Sequence, residues 1–372
     1  MILTIIIFVL VLGVLIFVHE FGHFLAARRA GLTVHEFGFG FPPRLIGFRR
    51  GKTLYSLNWI PVGGFVKIKG EDGQAAGEPD SFSSLAAWRR AGILLAGVTM
   101  NILFAMLLLG FLSASGAPTA LDTPLPSGAL VRDARIQIIS LVENSPATRA
   151  GMQPGDIIET IDGRTFTSVE AVQQYNAQKE KTSETVIVRR EKRSLELRLI
   201  PQTLAGSEDR AVWGVGLLRI GTVTFPWYRA IWMGIQQSCV LLWQILVSFA
   251  GLLQGLIMQQ KLTADVAGPV GIAVLTGQVR SLGALYLIQF TALLSLNLAL
   301  VNVLPFPALD GGRVFFLFLE KLRRKKVSER LEALIHNVGF VLLLMLVLVV
   351  TLRDVDRLTG GFMKIIGRLI GN

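Results

Sequence analysis

The sequence predicts a polytopic α-helical membrane protein with four transmembrane helices, a membrane-associated β-hairpin and an inserted α/β domain. Three observations predict it. The 372 residues are 52% hydrophobic with a mean hydropathy of +0.55, too apolar for an ordinary soluble domain. The apolar residues gather into runs of span length towards both ends of the chain. Between residues 129 and 222 the composition turns soluble, with strand-like alternation and turn signals. The net charge of +11 does not point to nucleic acid, because much of the basic excess flanks the hydrophobic runs. Cys239 is the only cysteine, which excludes an intrachain disulfide and a Cys-based zinc site.

Residues 1–112 form the first membrane part. Ile2 to Val18 is apolar apart from Thr4 and Gly13, and the first span runs on to Ala27 before Arg28-Arg29 closes it. As a helix it would be about 39 Å long against a hydrocarbon core of about 30 Å, so it tilts or protrudes. Basic residues only at its C-terminal end predict that this end faces the cytoplasm. The absence of a basic n-region argues against a signal peptide.

Inside this span lies His19-Glu20-Phe21-Gly22-His23. A helix stacks residues four apart on one face, so both imidazoles can reach one metal ion while Glu20 stands beside it as a proton acceptor. Ionisable groups in a lipid-spanning segment cost roughly 2.5 kcal/mol or more each; a metal and a wet cavity would offset that. The alternative is a coincidental motif on a buried core helix.

Leu54 to Ile60 and Phe65 to Lys69 read as two short strands joined through Pro61 and Gly63-Gly64. They are either an amphipathic hairpin lying on the cytoplasmic leaflet or an edge strand, at Val66, Lys67 and Ile68, offered to an unwound peptide. Ala91 to Leu112 is the second span, leaving the cytoplasm after Arg89-Arg90. Asn101 within it reads as a polar contact between helices.

A Pro/Gly/Ser linker, 113–128, leads to the α/β domain at 129–222. Its elements are a strand at Arg135 to Val142, a short helix at Ala147 to Ala150, the phrase "PGDIIETIDG", a helix near Ser168 to Gln178, and strands at Glu184 to Arg190 and Ser194 to Ile200. These residues resemble a PDZ domain. The resemblance implies that the last strand carries the loop for a peptide C-terminus, which places Gly214, Val215, Gly216 and Leu217 against a peptide. An ordinary glycine-containing closing strand is the other reading.

Residues 223–281 hold an apolar stretch, Ile231 to Met258, interrupted by four glutamines, and then "AGPVGIAVLTG". As a span, Ile231 to Met258 would place Asp310 on the opposite side of the membrane from His19. The expectation is therefore an interfacial helix on the outer surface, followed by a Gly/Pro hinge or re-entrant piece. Residues 282–372 form the second membrane part: a span at Leu282 to Leu304, a basic cytoplasmic loop, a short span at Val338 to Leu352, and an amphipathic tail.

Two histidines leave a catalytic zinc one protein ligand short. His35, Glu36, His336 and Asp310 are the candidates. Asp310 is the one acidic residue between Leu282 and Leu319. Pro305 and Pro307 break the helix before it, which could turn its carboxylate back towards His23.

With H-E-x-x-H in the first span, N-x-x-P-x-P-x-x-D-G at Asn302 to Gly311, "GPVGI" and the PDZ-like insert, the chain resembles the site-2 protease family, of the bacterial regulator-of-sigma-E type. The resemblance implies Zn2+ held by His19, His23 and Asp310, with Glu20 activating water. It implies that Asn302 and Asn297 hold the substrate backbone. It also implies hydrolysis of peptide bonds in or near the transmembrane helix of single-span membrane proteins, in regulated proteolysis of anti-sigma factors or remnant signal peptides. The expected setting is the lipid bilayer of a bacterial inner membrane. The N-terminus and PDZ-like domain would be extracytoplasmic, the active site would lie towards the cytoplasm, and no nucleic acid would be involved. The chain departs from the pattern in having one PDZ-like domain and "AGVTMN" in the second span. The rival functions are a catalytically idle PDZ-bearing scaffold with a structural metal, and a metal transporter. A transporter needs polar residues along more than one span, whereas here they concentrate at one depth.

Overall fold

The computed structural model describes residues 2–71, 78–121, 128–179, 182–190, 193–203, 211–259, 267–323 and 328–359. The expected tail lies outside these residues, as do 324–327 of the basic loop. The chain divides into two compact units. One comprises Met1–Leu109, Gly234–Arg280 and Ile288–Asn372; the other comprises Gly110–Met233 and Ser281–Leu287.

In the first unit, α1 (Ile2–Arg29) is apolar apart from Thr4, the His19-Glu20 and His23 positions and its last two residues, Arg28 and Arg29. Apart from Gly13, its buried residues Val11, Leu15, His19, Gly22, His23 and Ala27 follow three- and four-residue spacing, the stripe that a helix turns to its neighbours. The polar groups lie on the inner face, while Ile2, Ile5, Ile6 and Leu10 are exposed. α2 (Ala87–Ser115) packs closely on that stripe. A Cβ at Gly22 would lie 2.4 Å from the Ala96 carbonyl oxygen, so only glycine allows the approach.

The β-hairpin is present, but its strands are not those expected. β1 (Val34–Arg50) and β2 (Thr53–Ile68) pair antiparallel around a turn at Gly51 and Lys52. Glu36 faces Lys67 on one side and Leu54 on the other, so residues 34–39 run between the two halves of β2. The two expected strands therefore flank residues 36–39 of β1 and do not pair with each other. Val34 and Phe37 are buried, and burying them favours the central position for their segment. Positive φ at Gly40 and Gly63, 78° and 104°, supplies bends that other residues adopt at a cost. Residues 64–68 become an outer strand. Beneath them Ala27, Leu32, Val34, Ile68, Phe82, Ile93 and Leu94 form one apolar cluster.

Of the later helices, α5 is Trp227–Gln259, α6 Pro269–Leu282, α7 Ala284–Val303, α8 Asp310–Arg323 and α9 Glu329–Thr359. The Gly/Pro stretch is helical from Pro269 onward. Pro269 takes the first position, where its missing N–H is no loss, and the same first turn is capped when Gly271 N–H donates to Asp354 Oδ2 (2.7 Å). The last span, expected at Val338 to Leu352, is twice that length. Among the described residues five helices are long and apolar enough to cross a membrane: Ile2–Arg29, Ala87–Ser115, Trp227–Gly255, Ala284–Val303 and Leu331–Leu358.

The second unit is built on a six-stranded antiparallel sheet in the order β3-β10-β4-β5-β6-β7. The strands are β3 (Ala117–Ala120), β4 (Leu130–Leu141), β5 (Ile157–Ile161), β6 (Glu184–Arg190), β7 (Arg193–Leu199) and β10 (Val215–Thr224). A small pair, β8 (Gln202–Thr203) and β9 (Ala211–Val212), precedes the last strand. α3 (Pro146–Arg149) and α4 (Val169–Ala177) start at Ser145 and Ser168, whose hydroxyls accept the N–H of Thr148 and Ala171, the usual serine N-cap. Val186 and Val188, alternating on β6, join Ile136, Ile138, Ile161 and Trp213 in the core. Buried Asp156 is satisfied by the Arg190 guanidinium (2.7 and 2.8 Å) and by Gln153 N–H.

Candidate metal centre and its cavity

α1 supplies two imidazoles and α8 one carboxylate. His19 Nε2 and His23 Nε2 are 3.2 Å apart. Asp310 Oδ2 lies 3.0 Å from the first and 3.3 Å from the second. Donor atoms held about 2.0–2.1 Å from one tetrahedral ion stand roughly 3.3 Å from each other. The three atoms form that triangle, and among the described residues they are the one group of His, Cys, Asp or Glu placed to hold a metal.

The far sides of the rings are equally defined. His23 Nδ1 lies 2.9 Å from the Ile93 carbonyl oxygen. A proton there bonds to that oxygen and turns the Nε2 lone pair inward. His19 Nδ1 faces the side-chain amide of Asn101 at 3.3 Å. An imidazole that gives Nε2 to an ion carries its proton on Nδ1 and needs an acceptor; Asn101 Oδ1, buried and without any other partner, supplies one when the amide is turned over. Ser295 on α7 donates to the Asn101 carbonyl oxygen (2.8 Å). A Cβ at Gly97 would lie 2.4 Å from His23 Nε2 and 2.8 Å from His19 Nε2.

Asp310 arrives through a compact link. After Pro307, Ala308 adopts φ 78°, a strained region for a residue with a Cβ. Gly311 and Gly312 are needed for room and not for unusual dihedrals. A Cβ at either would lie 2.2 or 2.3 Å from a carbonyl oxygen of Val303 or Phe306. Arg313, the neighbour with which Asp310 could have paired, bonds Glu71 instead, leaving the aspartate to the histidines.

A cavity of about 360 Å³ opens beside the cluster, lined by Glu20, His23 and Asp310. Its other walls include the outer strand at Phe65, Val66 and Ile68. Lys67 is not among the lining residues. At the other end of that strand Gly64 lies against Glu20: a Cβ there would be 3.1 Å from Glu20 Cγ. Asn302 Nδ2 is 3.4 Å from His19 Nε2, in the centre. Asn297 is not brought to it; its amide donates to Leu293 O one turn back on α7 (3.0 Å), as polar side chains in apolar helices commonly do. Of the other ligand candidates, Glu36 bonds Arg44 (3.1 Å). His336 lines the cavity with its Nδ1 facing Glu332 O.

Sequence reasoning passed over Asn101 as helix glue and did not find Ile93, Gly97, or the Glu71–Arg313 pair. One signal was available. Ile93, Gly97 and Asn101 recur every fourth residue and so share one face of α2.

In the second unit, Gly214 has φ 77°. Val215 and Gly216 pair with Leu141 and Ser140 of β4, while β3 pairs only with Ile220 to Val223. Among the described residues the other edge of Val215 to Leu217 therefore carries no strand. Just before it, the Trp213 indole N–H donates to Glu184 (2.7 Å), whose carboxyl is pushed up to about 7 by burial.

The chain matches peptidase family M50 over residues 7–346. Regulator of sigma-W protease RasP of Bacillus subtilis is 28% identical over 95% of this chain and 99% of its own length. Zinc metalloprotease RasP of Geobacillus kaustophilus is 31% identical over 95% and 98%. A PDZ domain of the SdrC-like protein of Listeria monocytogenes, 19% identical, covers 24% of this chain and 92% of the domain with a TM-score of 0.22. The matched span takes in both histidines, Glu20 and Asp310, and the chain belongs to peptidase family M50, the site-2 proteases.

Proposed function

We propose that this chain is an intramembrane zinc metalloprotease that hydrolyses peptide bonds within or near the transmembrane helix of membrane-protein substrates, in regulated proteolysis. The observation that carries it is the triangle of His19, His23 and Asp310 beside Glu20 and an open cavity. His19, His23 and Asp310 would hold the ion through the atoms that already face one another. When bound, zinc supplies Lewis acidity, acidifying a water and polarising the scissile carbonyl. Glu20 takes the proton of the attacking water and delivers it to the leaving amine. Ile93 and Asn101 hold the imidazoles in the required tautomer.

A helical substrate hides its carbonyls in its own hydrogen bonds and must unwind to be cut. The outer strand at Val66 to Ile68 suits an extended segment, because its free edge offers backbone groups at the cavity wall. Asn302 is placed to hold a substrate carbonyl near the donors. The edge at Gly214 to Leu217 would receive a peptide C-terminus in a PDZ-like manner, making cleavage conditional on earlier trimming.

The proposed topology is four spans in a bacterial inner membrane, with the segment between α2 and α5 extracytoplasmic and the centre towards the cytoplasm. It is supported by Arg28-Arg29 at the end of α1, Arg89-Arg90 at the start of α2 and Lys321 and Arg323 ending α8. Contact between His19 and Asp310 requires α1 and α7 to end at one depth, as they do when α5 lies along the interface. The idle-scaffold alternative is disfavoured because a structural zinc site is closed by four residues, and three converge here.

Glu20→Gln tests the mechanism. The variant is expected to fold, retain zinc and fail to cut a single-span substrate; cutting at the wild-type rate removes Glu20 from the chemistry.

A further inference from the structure

One pair of charges in the cavity has no part in that chemistry. Arg313 and Glu71 both line it and are ion-paired to each other. Both side chains are partly withdrawn from water, which carries some cost, and apolar packing would brace the protein as well, so what the pair connects matters. Arg313 stands one turn after Asp310 on α8, whose start is fixed by the carbonyl oxygens packed on Gly311 and Gly312. Glu71 stands three residues beyond Ile68, the end of the outer strand, after Gly70 at φ 73°. The far side of that strand end is anchored separately. Lys69 N–H donates to Thr33 O (2.9 Å), its ammonium binds Asp80 (2.7 Å), and Asp80 accepts the Thr33 hydroxyl (2.7 Å). At the other end of the strand, Gly64 rests against Glu20.

We infer that the Glu71–Arg313 pair is a latch that fixes the outer strand, residues 64–68, in position relative to Asp310, so that a substrate segment paired along the strand presents its scissile carbonyl to the donors and Glu20. This rests on 64–68 being the substrate-receiving strand. Arg313 and Glu71 are positioning residues. They touch neither the water nor the carbonyl, and they act through the place of the strand.

The test uses the full chain in detergent and a synthetic peptide with one Leu/Ala span interrupted by glycine. Glu71→Gln and Arg313→Gln are each expected to lower kcat/KM about tenfold, the cost of a small misplacement of reacting groups, at wild-type zinc content. The double variant loses no more than the worse single, because the two act as a unit, and Arg313→Lys regains part of the rate. A second readout is independent of turnover. In a Cys239→Ala, Glu20→Gln background, Val66→Cys should form a disulfide with a cysteine placed in the peptide, and adding Arg313→Gln should weaken it. Losses that multiply in the double variant, zinc loss in either single, or undiminished crosslinking with Arg313→Gln overturns the latch. Failure of Val66→Cys to crosslink at all, with Arg313 intact, instead overturns the substrate strand itself.

Discussion

Asn101 is the residue whose role depends most on its surroundings. An amide in an apolar helix reads as a contact between helices. Its partner, His19, is 82 positions away, a distance no local pattern spans. His19, Glu20 and His23 were legible because their geometry is intrinsic to one helix, and Asp310 because it is the lone acid in its segment. Ile93 acts through a backbone carbonyl, which every residue has, so its identity carried no signal. Two predictions belong at this scale. Asn101→Leu removes the acceptor for His19 Nδ1–H and should weaken zinc binding about 10- to 100-fold, measured by competition with a chelator; unchanged affinity would leave Asn101 as helix glue. Gly97→Ala places a methyl 2.4 Å from His23 Nε2. It should abolish zinc loading while the protein still inserts into membranes, as metal analysis of the purified variant would read.

At the scale of elements, the β-hairpin and the last helices separate what pattern can give from what it cannot. Alternation identified the two halves of β2, but not that 34–39 would insert between them. Its two phenylalanines and one glycine carry little period-two signal, and register is set by burial of Val34 and Phe37. "AGPVGIAVLTG" looked broken because Gly and Pro usually break helices. Here Pro269 starts one, and Asp354 caps it from 83 positions away. In the second unit, Glu184 makes a testable element. Its ordinary value is 4.5 and burial raises it to about 7. Between those values only the unfolded chain ionises it, so the unit should lose stability as pH rises from about 4.5 to about 7 and change little from this group above that. Hydrogen exchange of β6 amides across this range checks it, and Glu184→Gln should flatten the dependence. A slope that survives the substitution assigns the effect elsewhere.

For the whole molecule, composition and run length gave the membrane class, and among the described residues five helices meet the length and hydropathy of a span. Whether α5 crosses or lies along the surface is an orientation, and its glutamines are compatible with either. Cys239, the single cysteine and exposed on α5, is a native probe. An interfacial α5 predicts labelling by a membrane-impermeant maleimide added from the extracytoplasmic side of intact cells. Protection until the membrane is dissolved would instead make α5 a span.

The account stands on two imidazoles and one carboxylate from opposite ends of the chain holding a single ion. Zinc content per purified chain after mild chelation tests this directly, comparing wild type, Glu20→Gln and Asp310→Ala. The predicted result is one zinc in each of the first two and none in the third. Wild-type zinc retained by Asp310→Ala would contradict it.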